Sequence, residues 1–136
     1  MELKGMRLLV LEDEYLIGLE LERIAEECQA QSVDLVSNVN ELLAWIESGS
    51  ECDIAIIEVE AHGVSSLQAA SLLQSRGVPL IFTTAYDVEA GGIDGFAGVT
   101  VVGKPYGKSQ IIKAVAALSP SKKRLNETGS SSGEFV

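Results

Sequence analysis

The feature that most constrains this chain is the alternation, from about Arg7 to Leu118, of short apolar runs with stretches of helical period. Arg7-Leu8-Leu9-Val10-Leu11, Ile54-Ala55-Ile56-Ile57 and Pro79-Leu80-Ile81-Phe82-Thr83 are almost continuously apolar. A strand can be apolar throughout only when both of its faces are covered. Strands of that kind separated by helical stretches pair in parallel through crossovers, with helices on both sides of the sheet.

The remaining elements follow from the same logic. Helix one is expected from about Glu14 to Gln29, with Leu16, Ile17, Leu21, Ile24 and Cys28 in helical spacing. Strand two, Val33-Asp34-Leu35-Val36, is short and interrupted by a polar residue, which suits an edge. Asn38 or Asn40 can cap a second helix that places Leu42, Leu43 and Ile46 near one face and stops around Ser48-Gly49. A third helix runs from Ser66 to Ser75 and closes at Arg76-Gly77. Strand five is Thr100-Val101-Val102, and a last helix runs from about Lys108 to Leu118 with Ile111, Ile112, Val115 and Leu118 inward. The sum is five βα units. The fourth helix is the exception, because Ala85 to Gly98 contains Gly91, Gly92, Gly95 and Gly98, and each glycine inside a helix costs about 1 kcal/mol relative to alanine. A short turn around Val88-Glu89-Ala90 followed by a mobile loop is expected instead. From Ser119 the apolar period is lost, and residues 119–136 are expected to be a disordered tail after a domain spanning 1–118.

Charge narrows the function. Twenty acidic residues against ten basic ones give a net charge of −10, which argues against a nucleic-acid partner, since that needs a concentrated basic face. No apolar run reaches the ~18 residues of a membrane span, and Met1-Glu2-Leu3-Lys4 does not open a signal peptide, so a cytoplasmic location is expected. Cys28 and Cys52 lack the spacing of a metal or redox pair and read as free thiols.

Chemistry is expected where the strands end. In an open parallel sheet ligands bind outside the carboxyl ends of the strands, where strand order reverses. Glu12-Asp13-Glu14 ends the first apolar run, Glu58 the third, and Thr83-Thr84 the fourth, while Lys104-Pro105 follows the fifth. Glu12 and Asp13 offer the hard oxygen ligands that Mg²⁺ takes alongside waters and phosphate oxygens. Carboxylates, a hydroxyl and an amine gathered at successive strand ends make a site for Mg²⁺ and a phosphoryl group.

Leu11-Glu12-Asp13-Glu14, Asp53-Ile54-Ala55-Ile56-Ile57-Glu58, Phe82-Thr83-Thr84-Ala85-Tyr86 and Lys104-Pro105-Tyr106, in this order, resemble the receiver domain of two-component response regulators. The resemblance covers roughly residues 6 to 118. Pro79 to Asp87 is also similar to the Phe-Ala-Thr-Gly-Tyr signature of a receiver subgroup common in alphaproteobacteria, in which the fourth helix is often poorly formed. The resemblance implies a flavodoxin-like (βα)5 three-layer sandwich with a parallel sheet in the order 2-1-3-4-5. It also implies that Glu12 and Asp13, with Glu58, hold Mg²⁺, that Glu58 stands at the phospho-acceptor, that Thr84 bonds the phosphoryl oxygen and that Lys104 pairs with it. A sensor histidine kinase or phosphotransfer protein would be the donor partner, meeting the face of helix one, and a downstream protein would bind through region 85–118. The role implied is signalling by contact, not enzymatic turnover.

Two positions depart from the pattern. Val101 stands where many receivers carry an aromatic residue that swings inward on activation, which leaves Tyr86 or Tyr106 as substitutes. Glu58 stands where an aspartate is expected, and its carboxylate sits one methylene, about 1.5 Å, farther from the backbone. Misplacement by ~1 Å can cost on the order of 10²-fold in rate. Glu58 is then the mark of a pseudo-receiver, of an engineered Asp→Glu imitation of the phosphorylated state, or of a slow phospho-acceptor. Alternatives of another class are a sequestering adaptor that binds a kinase or phosphotransfer partner without turnover, and an enzyme on the same architecture. A flavodoxin-like electron carrier lacks its phosphate loop, since Glu12-Asp13-Glu14 would repel a flavin phosphate, and a phosphatase lacks an Asp-x-Asp pair at a strand end.

Overall fold

The computed structural model describes residues 3–85, 92–104 and 106–127, the last stretch by its backbone alone beyond 118. Five strands, β1 (Arg7–Leu11), β2 (Ser32–Val36), β3 (Ile54–Glu58), β6 (Leu80–Thr84) and β7 (Thr100–Gly103), form one sheet in the order β2-β1-β3-β6-β7. Every pairing in it is parallel. Counted along this sheet, the order is the 2-1-3-4-5 expected from the sequence. Order reverses between β1 and β3, which places the ends of these two strands side by side.

Side-chain alternation splits the interior into two layers. Leu8 and Val10 of β1, Ile54 and Ile56 of β3 and Ile81 of β6 face α1 (Tyr15–Glu27) and α4 (Lys108–Glu127), meeting Leu21, Ile24, Ile111 and Val115. Leu9, Leu11, Ala55, Ile57 and Phe82 face α2 (Val39–Glu47) and α3 (Leu67–Ser75), meeting Leu42, Ile46, Ala70 and Leu73. The weak strand lies at the edge, as its polar interruption requires. Asn38, and not Asn40, caps α2: its Oδ1 accepts the Glu41 N–H at 2.8 Å, and Glu41 Oε1 accepts the Ser37 N–H at 2.9 Å. Gly18 lets α1 approach β2 closely, since a Cβ there would lie 3.0 Å from Leu35 Cδ2.

Three features differ from or extend the sequence pattern. A small antiparallel hairpin, β4 (Glu60–Ala61) and β5 (Val64–Ser65), follows β3. Its turn residues His62 and Gly63 both have positive φ, 51° and 77°, the requirement of the tight turn that matches strand twist. Strands of two residues are too short to leave an alternation in the sequence. Secondly, α4 continues to Glu127, so the backbone is helical through the first half of the segment expected to be a disordered tail. Lys122, Lys123, Arg124 and Leu125 are good helix formers, and extending an existing helix is far easier than nucleating one. The rest of that tail lies outside the described residues.

Thirdly, the glycine-rich segment is not helical where it is described. Residues 92–99 form turns in which Gly92, Gly95 and Gly98 all take φ between 75° and 86°, which a right-handed helix excludes. Phe96 anchors these turns, being buried edge-on against Phe82 with ring centroids 5.0 Å apart. The turn expected at Val88-Glu89-Ala90 lies outside the described residues. Among the described residues no helix is long and apolar enough to cross a membrane.

At the opposite end of the sheet from the strand-end acids, Asp53 ties the starts of β1 and β3 together. Its carboxylate accepts from the Arg7 backbone N–H at 2.8 Å and from Arg7 Nε and Nη2 at 3.1 Å each. The Arg7 guanidinium holds the Asp53 carboxyl below the usual range. A carboxyl lowered by folding contributes stability above its unfolded value and loses it as the pH falls through its folded value. Asp53→Asn is expected to destabilise the fold by about 1 kcal/mol at neutral pH. The gap to wild type should close as urea denaturation is repeated below pH 3.8, the ordinary value for this group.

Candidate functional site

The parallel register brings the ends of four strands to one place. β1 delivers Glu12 and Asp13, β3 ends on Glu58, β6 ends on Thr84, and Lys104 follows β7. The Lys104 N–H bonds the Thr84 carbonyl at 2.8 Å, which fixes the last two ends to each other. Four of the residues named from the sequence, Asp13, Glu58, Thr84 and Lys104, therefore line one pocket of about 310 Å³ together with Glu14 and Glu60, while the buried Glu12 meets Lys104 without lining it.

Lys104 is the centre of the arrangement. Its Nζ lies 2.6 Å from Glu58 Oε2, 2.9 Å from Glu12 Oε2, 3.0 Å from Glu14 Oε1 and 3.8 Å from Asp13 Oδ1. The side chains of Lys104, Glu12 and Glu58 are 6%, 0% and 5% exposed. Two carboxylates about 4 Å apart repel by roughly 4 kcal/mol at an effective dielectric near 20, so this cluster closes only around a cation. Burial alone would pull the Lys104 amine down, but its hydrogen bonds to Glu58, Glu12 and Glu14 outweigh that and raise it, so it stays an ammonium. Burial pushes Glu58 the other way for an acid, up to about 7, against the opposing pull of Lys104 and the Asp13 N–H. Burial would also raise Asp13, but the His62 backbone N–H and the nearby Lys104 hold it below the usual range.

Both oxygens of Glu58 are committed. Oε1 accepts the Asp13 N–H at 2.9 Å and Oε2 accepts from Lys104. The extra methylene carries the carboxylate from β3 across to the loop after β1. Its backbone is fixed in turn, since Ser66 Oγ donates to the Glu58 carbonyl at 2.5 Å. Glu12, Asp13 and Glu58 each offer an oxygen within 4.8 Å of the others, a set of hard donors of the kind a divalent cation takes.

Three further residues enter the site in ways the sequence did not assign: Glu14 and Tyr106, which belong to the strand-end motifs, and His62, which had no signal of its own. Glu14 contributes a fourth carboxylate from the acidic triplet, at 60% exposure. His62 acts through its backbone, donating its N–H to Asp13 Oδ2 at 2.8 Å. Tyr106 reaches Glu12 Oε1 with its hydroxyl at 3.3 Å. A main-chain donor leaves no residue-type signature, so His62 could not have been found that way. Thr83, opposite Glu58 in the register, is the one described residue with a buried side-chain polar atom lacking a partner.

Comparison with known proteins places the fold. No family model matches the sequence, and no curated protein matches it. Among solved structures, SdrG from Sphingomonas melonis Fr1 is 31% identical, with a TM-score of 0.71 over 87% of this chain and 98% of that one. A response regulator receiver protein from Sinorhizobium medicae WSM419 is 19% identical, with a TM-score of 0.73 over 84% of this chain and 94% of that one. The response regulator PhyR from Brucella abortus is 22% identical with a TM-score of 0.73, over 92% of this chain but 51% of its own length, so this chain spans about half of it.

Removing Lys104 leaves buried carboxylates without their counter-charge. Lys104→Met is expected to cost about 3–5 kcal/mol at neutral pH, with part of the loss recovered in acid as the carboxylates protonate, as read from urea midpoints across a pH series. Thr83→Val removes an unpaired buried hydroxyl and is expected to raise stability by about 1 kcal/mol in the same measurement.

Proposed function

Because the chain belongs to the receiver domains of response regulators, we propose that it works in two-component or phosphorelay signalling by protein contact, with Glu58 at the phospho-acceptor position and no phosphoryl transfer to it. The observation that carries this reading is the double commitment of the Glu58 carboxylate, to the Asp13 N–H at 2.9 Å and to Lys104 Nζ at 2.6 Å. A phospho-acceptor must present one oxygen to the donor phosphorus in line with the leaving group, and it needs a cation, a hydroxyl and an amine around the equatorial oxygens. Here Lys104 is already engaged by Glu58 itself. The longer side chain reaches the ammonium that would otherwise await a phosphoryl oxygen. When ionised, it carries a single negative charge that would imitate part of the nearly doubly charged acyl phosphate.

Glu12, Asp13 and Glu58 would hold Mg²⁺, and their oxygen chemistry fits it. When bound, the ion would neutralise the cluster and polarise an incoming phosphoryl oxygen. Thr84 lines the same pocket and would bond that oxygen. Lys104 holds Glu58, Glu12 and Glu14 together.

The donor-side partner is a sensor histidine kinase or phosphotransfer protein. Tyr15 and Leu16 at the start of α1 are 75% and 76% exposed, beside Glu14 at the pocket rim, and exposed apolar residues next to a reactive pocket suit a docking surface. The downstream partner is assigned to region 85–118, of which the described part includes β7 and the first half of α4. A sequestering adaptor would use the same surfaces. A kinase that binds wild type and Glu58→Asp equally, with its phosphate drained only by Glu58→Asp, would favour that reading.

Incubation with Mg²⁺ and a small acyl phosphate, followed by intact-mass measurement, tests the proposal. Wild type is expected to show no gain, and Glu58→Asp is expected to gain one phosphoryl group. A stoichiometric gain on wild type, mapped to Glu58, would overturn it.

A further inference from the structure

The starts of the strands, at the end of the sheet away from the acidic cluster, border a second cavity. It measures about 430 Å³ and is lined by Arg7 of β1, Trp45 of α2, Cys52 just before β3, Leu73 of α3, and Arg76 and Val78 beyond that helix. That size falls within the range of small-molecule sites. Trp45, Cys52 and Val78 are half-buried and pack with the buried Leu73 against the core under α2 and α3, so most of the wall is apolar. None of the residues of the phosphoryl site takes part in it. Burial pushes the Cys52 thiol up to about 11, away from the thiolate that redox or metal chemistry needs. Its sulfur belongs to the apolar wall.

Nearly all the polar groups around this cavity already have partners. Trp45 Nε1 donates to Asp34 Oδ2 at 2.7 Å, which fixes the indole. Arg7 gives Nε and Nη2 to Asp53 and Nη1 to Glu51 at 3.5 Å, and the Glu51 side chain is 79% exposed. The carbonyl ends of α2 and α3 would attract a cation, but their own turns close them. The Ala44 and Trp45 carbonyls accept the Ser48 N–H at 3.0 Å and Ser48 Oγ at 2.7 Å, and the Leu73 carbonyl accepts the Arg76 and Val78 N–H groups at 3.0 and 3.1 Å. Arg76 is the exception. Among the described arginine side chains, Arg7 and Arg23 are in ion pairs and Arg76 is in none. An unpaired guanidinium presents a fork of N–H donors that matches a carboxylate in two parallel hydrogen bonds.

We propose that this cavity binds a small organic anion, a carboxylate on a planar apolar body, with Arg76 holding the carboxylate and Trp45, Leu73, Cys52 and Val78 covering the body. Arg76 is exposed, so the carboxylate sits at the rim with water on its outer side, and the body alone is desolvated. That division suits an amphipathic ligand, since burying the charge as well would cost far more. Trp45 lies on α2, Arg76 closes α3 and Cys52 leads into β3, so one occupant touches three elements. The site gives the domain a chemical input at the end of the sheet opposite Glu58. It stands whether or not Glu58 accepts phosphate.

The test is a titration of the full ¹⁵N-labelled chain with benzoate at constant ionic strength. Trp45 is the only tryptophan, so its indole N–H signal reports directly. That signal and the Cys52 and Val78 amides are expected to shift together and to saturate at millimolar benzoate. Benzamide, which has the same body without the charge, is expected to bind about tenfold more weakly, and so is benzoate to Arg76→Gln, with Arg76→Lys between. Equal binding of benzamide and benzoate overturns the assignment, as does full affinity in Arg76→Gln. A wild-type response that does not saturate, or that spreads equally over the surface lysines, overturns it too. Should Arg76→Gln not fold, Cys52 decides the matter in wild type, because Cys28 is buried and dithiodipyridine then reads Cys52. The thiolate attacks one sulfur of the reagent and the other leaves as thiopyridine. Benzoate must slow this release in proportion to the Trp45 shift, and a rate indifferent to benzoate overturns the site.

Discussion

One ammonium group holds the working end of this molecule together. Lys104 meets Glu58 and Glu12 within 3 Å and Glu14 at 3.0 Å, and all but Glu14 are buried. These side chains come from the ends of β1 and β3, which pair directly, and from the end of β7, which β6 joins to β3. Without the cation, the acids at the ends of β1 and β3 would repel strongly enough to open the loops that carry them. With it, the same repulsion becomes specificity, because the parallel register seen here aligns the two acidic strand ends, of β1 and β3, under one lysine. Buried ion clusters of this sort add little to net stability over an apolar core. Their retention at a strand-end pocket, opposite the Asp53–Arg7 tie at the other end of the sheet, argues for use.

Much of this was legible in the sequence because the signals were of the strong kinds. Continuous apolar runs at Leu8–Leu11, Ile54–Ile57 and Leu80–Phe82 require a sheet covered on both faces, and their layers separate by simple alternation. That Glu12, Asp13, Glu58, Thr84 and Lys104 would lie together was readable since each follows or ends such a run. What escaped were features carried by the main chain or by short segments. The β4–β5 hairpin has two residues per strand, and the His62 amide leaves no mark on residue identity. The extension of α4 to Glu127 escaped for another reason: helix propagation depends on the preceding turn as well as on apolar period.

In the described part of the glycine-rich stretch, residues 92–99, turns cover the sheet in place of a helix. Gly92, Gly95 and Gly98 take conformations closed to a right-handed helix, so among the described residues the covering of the sheet there rests on Phe96 against Phe82, with Ile93 and Val99 packed beside them. Of these contacts, Phe96 on Phe82 is the one made by two buried rings.

The hairpin after β3 has a consequence of a different kind. Asp13 receives its support from the backbone amide of residue 62, and a peptide N–H is present in every residue except proline. Selection on this contact therefore acts on the shape of the turn, φ of 51° and 77° at His62 and Gly63, and hardly on the side chain at 62. Asparagine, aspartate or glycine at 62 would keep this N–H and suit the positive φ, whereas no replacement of Asp13 by an uncharged residue keeps the carboxylate. An invariant function here would look, in sequence, like a variable position.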